Sequence, residues 1–170
     1  MREAVAARVP VVGICFGHQV LASALGARVE KAAVGWGVGP HHYAIEERPG
    51  WMGPDQGGAA PDGFTLNAMH QDQVLDLPPG ARLVASSPFC PIAALAYGDH
   101  ALSFQAHPEF DNGFERELIE GRRGGLIPAD RADPALAALR EGGGDAGVAP
   151  DVPRVAEWIR RFFRASAGQR

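Results

Sequence analysis

Val9-Pro-Val-Val-Gly-Ile-Cys15-Phe-Gly-His-Gln19 is the stretch on which the fold turns. Its first six residues form a short, β-branched apolar run, the pattern of a buried strand in a parallel sheet. From Gly17 the period changes. Val20, Leu21, Ala24 and Leu25 recur at helical spacing, and Gly26 stands where a helix C-cap belongs. Between strand and helix lies Gly13-Ile-Cys15-Phe-Gly17, a glycine-x-nucleophile-x-glycine elbow. A strand that turns sharply into a helix holds its middle residue in a strained conformation and needs neighbours without side chains. The thiol then projects beyond the sheet at the positive end of a helix, which favours the thiolate. The next backbone N–H, that of Phe16, points into the same space and is suited to hold an oxyanion. The alternative on the pentapeptide alone is a small buried cysteine between two turn glycines.

A second stretch bears on that choice. Ser103-Phe-Gln-Ala-His107-Pro-Glu109 sets an imidazole and a carboxylate two residues apart at the end of an apolar strand. His107 has the chemistry to take the thiol proton, Glu109 to fix the imidazole tautomer, and Pro108 to stiffen the turn between them. Distance in sequence is no obstacle, because the fold assembles such sites.

The rest of the chain reads as alternating elements. Strands are expected at 38–45, 64–69, 82–86, 92–97 and 101–106, with a Gly/Pro-rich loop at 49–62. The short gaps between the later strands imply hairpins. A helix is expected at 111–123, then a looser region punctuated by Gly124-Gly125 and Gly142-Gly-Gly144. Val155, Trp158, Ile159, Phe162 and Phe163 follow helical spacing, with Arg160, Arg161 and Arg164 on the opposite face. This predicts an amphipathic helix at about 152–166 docked on the domain.

Composition narrows the function. A chain of 170 residues that is 46% hydrophobic and 21% charged is globular. A net charge of −4 argues against a nucleic-acid binder. Of the 16 basic residues only Lys31 is a lysine. Two cysteines, Cys15 and Cys90, are too few for a disulfide framework, which points to the cytoplasm. No run is long and apolar enough for a membrane span. His18, beside the elbow, has no further Cys/His pair to complete a zinc site, so no metal is expected. His41-His42 reads as a strand-end surface pair, and Cys90 as an inert core thiol.

With both motifs in view, the chain resembles the class I, triad-type glutamine amidotransferases. Gly-Ile-Cys15-Phe-Gly-His-Gln19 and His107-Pro-Glu109 match that family's motifs, and the likeness runs from about Arg2 to Phe110. Together with Asn67-Ala-Met-His-Gln-Asp-Gln-Val74, they are most similar to the amidotransferase domain of GMP synthase and its stand-alone relatives. The resemblance implies an α/β, flavodoxin-like three-layer sandwich with a mixed, largely parallel sheet. It implies a catalytic core at 1–112 and a C-terminal extension at 113–170. It assigns Cys15 as nucleophile, His107 as base and Glu109 as its orienter, with Gln19, Met69, His70, Gln71 and Asp72 holding the substrate. Read without the resemblance, His70 and Asp72 look like a helix cap, with Asp72 near a helix start.

The reaction implied is hydrolysis of the glutamine side-chain amide through a γ-glutamyl thioester. Glutamate and ammonia result, and the ammonia passes to a synthase domain or subunit. No cofactor is implied, and no ATP-binding glycine loop is present. The family carries further strands and a Gly-containing loop before the elbow, and that loop completes the oxyanion hole. Only fourteen residues precede Cys15 here, so the resemblance implies a chain truncated at its N-terminus. Two rivals stay open: a thiol hydrolase of γ-glutamyl peptides or conjugates, and a non-catalytic binding remnant.

Overall fold

A computed structural model describes residues 1–53, 62–141, 147, 149 and 151–167. Helix α1 (Arg2–Ala6) leads into strand β1 (Val11–Ile14) and helix α2 (Phe16–Ala24). Next come β2 (Val29–Lys31), β3 (Gly37–Ile45), β4 (Gly63–His70), β5 (Asp72–Val74), β6 (Ala81–Ser86), β7 (Ala94–Tyr97) and β8 (Ala101–Phe104). Helices α3 (Asn112–Glu120), α4 (Ala129–Glu141) and α5 (Val152–Ala167) complete the chain.

Six strands form one mixed sheet in the order β1-β8-β7-β6-β3-β4, while β2 and β5 make a separate ribbon. Only the β1–β8 pairing is parallel; the other four pairings of the large sheet are antiparallel. The expectation of a largely parallel sheet is therefore corrected for the described residues. The cause is connection length. Gly98, Asp99 and His100 are all that separate β7 from β8, enough for a hairpin but not for a crossover. The expected hairpins are present.

Both faces of the sheet are covered. On one, α2 buries Leu21 and Ala22 against Leu95, Tyr97 and Ala101. On the other, α5 sets Val155, Trp158 and Phe162 onto Tyr43, Phe64, Leu102 and Phe104. Trp158 meets Phe64 edge to face, with centroids 5.6 Å apart. A third cluster packs α3 and α4 on Val38 of β3 through Ile119, Ala135, Leu136 and Leu139.

The helix expected at 111–123 is α3, capped by the Asp111 carboxylate, which accepts from the Phe114 N–H at 2.7 Å. Within the region expected to be looser lies a helix, α4 (Ala129–Glu141), with Pro134 inside it. Proline removes one helical N–H, yet the apolar face of α4 is held by β3. Gly39 permits that approach: with φ of +78°, a Cβ there would lie 2.8 Å from the Ala135 Cβ. His41 and His42 lie within β3 rather than at its end. Part of the expected 49–62 loop is a buried 3-10 turn, Gly50–Met52, under α5. Residues 54–61 and the Gly142-Gly-Gly144 run lie outside the described residues.

Candidate active site

The parallel β1–β8 pair gathers the site. Its register matches Ile14 with Phe104, so Cys15 and Gln105 leave the sheet side by side. The Cys15 N–H donates to the Phe104 carbonyl at 2.8 Å. A separation of about ninety residues in sequence is thereby closed by one ladder rung. At the elbow, Cys15 has φ +48° and ψ −101°, a region that costs a non-glycine residue about 1–3 kcal/mol. It is the N-cap of α2, so the first amides of that helix, Phe16 included, have no hydrogen-bond partner within the helix. Gly13 is required there, because a Cβ would lie 2.7 Å from the Gly17 carbonyl oxygen. Gly17 is different: a Cβ on it meets nothing within 4 Å, so sterics within these residues do not demand it.

His107 and Glu109 meet as expected from their spacing, with Nδ1 and Oε1 2.7 Å apart. The backbone of His107 bridges to Asn67 of β4, its N–H donating to the Asn67 carbonyl at 2.8 Å. Phe110 stacks flat on the imidazole at 3.9 Å. Burial pulls the His107 imidazolium pKa down, but hydrogen bonds and charge from Cys15 and Glu109 outweigh it and raise the value to about 9. These partners favour the protonated form of the imidazole.

Gln105 is the site residue that the sequence reading passed over. It is fully buried, and its Nε2 donates toward the Cys15 Sγ at 3.7 Å. The available signal was period-2 alternation: Ser103, Gln105 and His107 interleave with the apolar Phe104 and Ala106. Asn67 is a further residue whose part in the site no local sequence signal marks. Its Nδ2 donates to the Phe110 carbonyl and to Asn112 Oδ1, both at 3.2 Å, which locks β4 to the His107 turn.

Gln19, Met69, His70, Gln71 and Asp72 line one cavity with Cys15, of about 290 Å³, together with Lys31, Trp36 and Leu126. The Cys15 Sγ lies 3.8 Å from the Met69 carbonyl oxygen. Gln19 Nε2 donates to the Asp72 carbonyl at 2.9 Å and to Gln105 Oε1 at 3.3 Å. Asp72 opens strand β5 rather than a helix, so the helix-cap reading is corrected: pairing with β2 holds it extended. Burial lowers the His70 pKa to about 4, so its ring is neutral.

Two other candidates are structural. His18 is fully buried, with Nδ1 2.8 Å from Ser103 Oγ and Nε2 3.1 Å from the Ile92 carbonyl oxygen. Burial lowers its pKa to about 4. Cys90 is fully buried, and burial pushes its thiol up to about 12. Among the described residues no cluster of His, Cys, Asp and Glu is arranged to hold a metal ion. None of their helices is long and apolar enough to cross a membrane.

The model of the family described as glutamine amidotransferase class-I matches residues 1–121. The chain is 33% identical over 114 residues to gamma-glutamyl peptidase 3 of Arabidopsis thaliana, covering 65% of this chain and 45% of that protein. It is 34% identical over 158 residues to the glutamine-hydrolyzing GMP synthase of Ralstonia pickettii, covering 82% of this chain and 28% of the synthase. A glutamine amidotransferase from Thermotoga maritima superposes with a TM-score of 0.68 at 21% identity, over 97% of this chain and 65% of that one. One from Methylobacillus flagellatus does so at 0.64 and 28% identity, over 98% and 64% respectively. The chain thus spans about half or less of the curated relatives named and about two thirds of the solved structures. The solved structures share its mixed α/β, flavodoxin-like arrangement. Elbow, fold and family model agree, and the chain belongs to the class-I glutamine amidotransferases.

Proposed function

We propose that this chain carries a glutaminase-type amidotransferase site, with Cys15 as nucleophile, His107 as general base and acid, and Glu109 as its orienter. The Cys15 sulfur attacks the side-chain carbonyl carbon of glutamine, and the Phe16 N–H stabilises the oxyanion. As the C–N bond breaks, His107 gives its proton to the departing nitrogen and ammonia leaves. Water, deprotonated by His107, then cleaves the γ-glutamyl thioester to glutamate and returns the thiol. The balance is glutamine plus water giving glutamate plus ammonia. The cavity walls of Gln19 and residues 69–72 hold the substrate. The single observation that carries this reading is the strained Cys15 at a helix N-terminus beside a His107 clamped 2.7 Å from Glu109.

The ammonia acceptor is proposed to be a synthase domain or partner, a reading supported by the likeness to GMP synthase. Two free cysteines support a reducing, cytoplasmic setting. The likeness to gamma-glutamyl peptidases favours a second reading, hydrolysis of γ-glutamyl peptides at the same site. Assaying glutamate release from glutamine and from a γ-glutamyl dipeptide tests both. Release from glutamine, abolished by Cys15→Ser, supports the first, and preference for the dipeptide supports the second. No release from either sinks both, leaving the non-catalytic binding remnant.

A further inference from the structure

A fully buried carboxyl that the proposed reaction leaves unused, that of Glu115, stands in the first turn of α3, just after the His107-Pro-Glu109 turn. Its Oε1 accepts the Gly39 N–H at 2.9 Å, which pins α3 to β3. Asn112, three residues earlier on the same helix, accepts the Asn67 Nδ2 on its Oδ1 at 3.2 Å. The Asn67 carbonyl in turn holds the His107 N–H at 2.8 Å. An aromatic route runs beside this polar one. Phe114 meets Phe110 edge to face at 4.7 Å, and Phe110 lies flat on the imidazole at 3.9 Å. Asn67, Asn112 and Glu115 are all buried, so their polar atoms need partners. Asn67 Oδ1 and Glu115 Oε2 lack a hydrogen-bond partner among the described residues, and both are acceptors. Protonation turns Oε2 into a donor, which a cluster with acceptors in excess favours.

We infer that Glu115 is a positioning residue for His107: it anchors α3 beside the His107 turn, and its ionisation adds a negative charge that strengthens the imidazole's hold on its proton. The inference rests on the reading of His107 as the base of Cys15 and deepens it by giving that site a pH-sensitive control. The two groups act on each other through charge. The imidazolium favours the Glu115 carboxylate, and by reciprocity the carboxylate favours the imidazolium. Arg122 on α3 and Tyr43 on β3 share the field of Glu115, while Cys15, Glu109 and the neutral His70 of β4 share that of His107. Burial holds the Glu115 proton up to about 7, whereas His107 keeps its own to about 9, so Glu115 ionises first. That order fixes the sign. Across the His107 titration the second carboxylate is already charged, and removing it lowers the imidazole pKa.

The test follows the His107 ring proton of the full chain by NMR titration, beside the pH profile of glutamine turnover. The unmodified protein should show a small inflection near pH 7, from Glu115, ahead of the main transition. Glu115→Gln keeps an acceptor for the Gly39 N–H and removes the charge. It should abolish the inflection and lower the imidazole pKa by roughly 0.3–1 pH unit, the scale of one charge acting across several ångströms of protein. The alkaline limb of kcat should move down with it. Glu115→Leu, which loses the acceptor as well, should lower kcat about tenfold with KM within about twofold, and glutamine at that position should recover most of the loss. A Glu115→Gln protein in which neither the ring titration nor the limb moves would overturn the inference, whether or not the leucine variant folds.

The ring titration needs no turnover, so the two claims separate. A His107 titration that depends on Glu115, without glutamate release, removes the proposed reaction and leaves the link between the two groups. Glutamate release with a titration and an alkaline limb indifferent to Glu115 does the reverse. Neither release nor a Glu115-dependent titration overturns both.

Discussion

At Cys15 the chain accepts a backbone conformation costing about 1–3 kcal/mol and places a thiol at a helix N-terminus. In the proposed mechanism His107 sets the pH range. Its pKa of about 9 is raised by Cys15 and Glu109 against the opposing pull of burial. Glu109→Gln should therefore move the His107 pKa down toward or below its ordinary 6.5, followed by NMR titration of the ring proton. The alkaline limb of kcat should move in the same direction. A raised folded-state value contributes stability that is full below pH 6.5 and is lost as pH rises through about 9, so Glu109→Gln should flatten that part of a stability–pH curve.

A second buried group carries the same sign with the opposite charge logic. Glu115 of α3 is fully buried, accepts the Gly39 N–H on Oε1 at 2.9 Å, and leaves Oε2 without a hydrogen-bond partner among the described residues. Burial raises its pKa to about 7, against the Gly39 hydrogen bond and the charges of His107 and Arg122. Its ionisation costs stability as pH climbs from 4.5 through about 7. Glu115→Gln should remove that cost and stabilise the protein at pH 8 by on the order of 1–3 kcal/mol, measured by urea unfolding. A loss of stability at pH 8 would contradict the assignment.

Among the elements, the elbow separates its two glycines. Gly13 sits where a Cβ would strike the Gly17 backbone, so Gly13→Ala should destabilise by about 1–3 kcal/mol and disturb the thiol's position. Gly17 faces open space inside the first turn of α2, so Gly17→Ala should be neutral or stabilise by about 0.5–1 kcal/mol. Denaturant melts of the two variants check the contrast.

The same scale explains what could be read in advance. The β1–α2 elbow was legible because a change of hydrophobic period and two glycines coincide within a few residues. The ribbon of β2 and β5 was not, since three-residue strands are too short to show alternation and are defined only by each other. Helix α4 was hidden by Pro134 and is stabilised instead by burial against β3. Alternation in the sequence puts Gln105 on the face of His107, but its place beside Cys15, like that of Asn67 beside the His107 turn, comes from long-range strand pairing that local sequence does not encode.

For the whole molecule, the site depends on a sheet clamped between α2 and α5. Trp158 of α5 packs edge to face on Trp51 and Phe64, and Phe64 in turn packs on Phe104, the last residue of the strand that leads to His107. Trp158→Ala should cost about 3–5 kcal/mol in urea unfolding and lower activity only through loss of the folded state. The central claim concerns Cys15 as the nucleophile toward a γ-glutamyl carbonyl. Its most direct test is incubation of the full chain with a chloroketone analogue of glutamine, followed by intact-mass measurement and peptide mapping. The account predicts one adduct, on Cys15, slowed by excess glutamine, with the buried Cys90 unmodified. No adduct on Cys15, or labelling indifferent to glutamine, would contradict it.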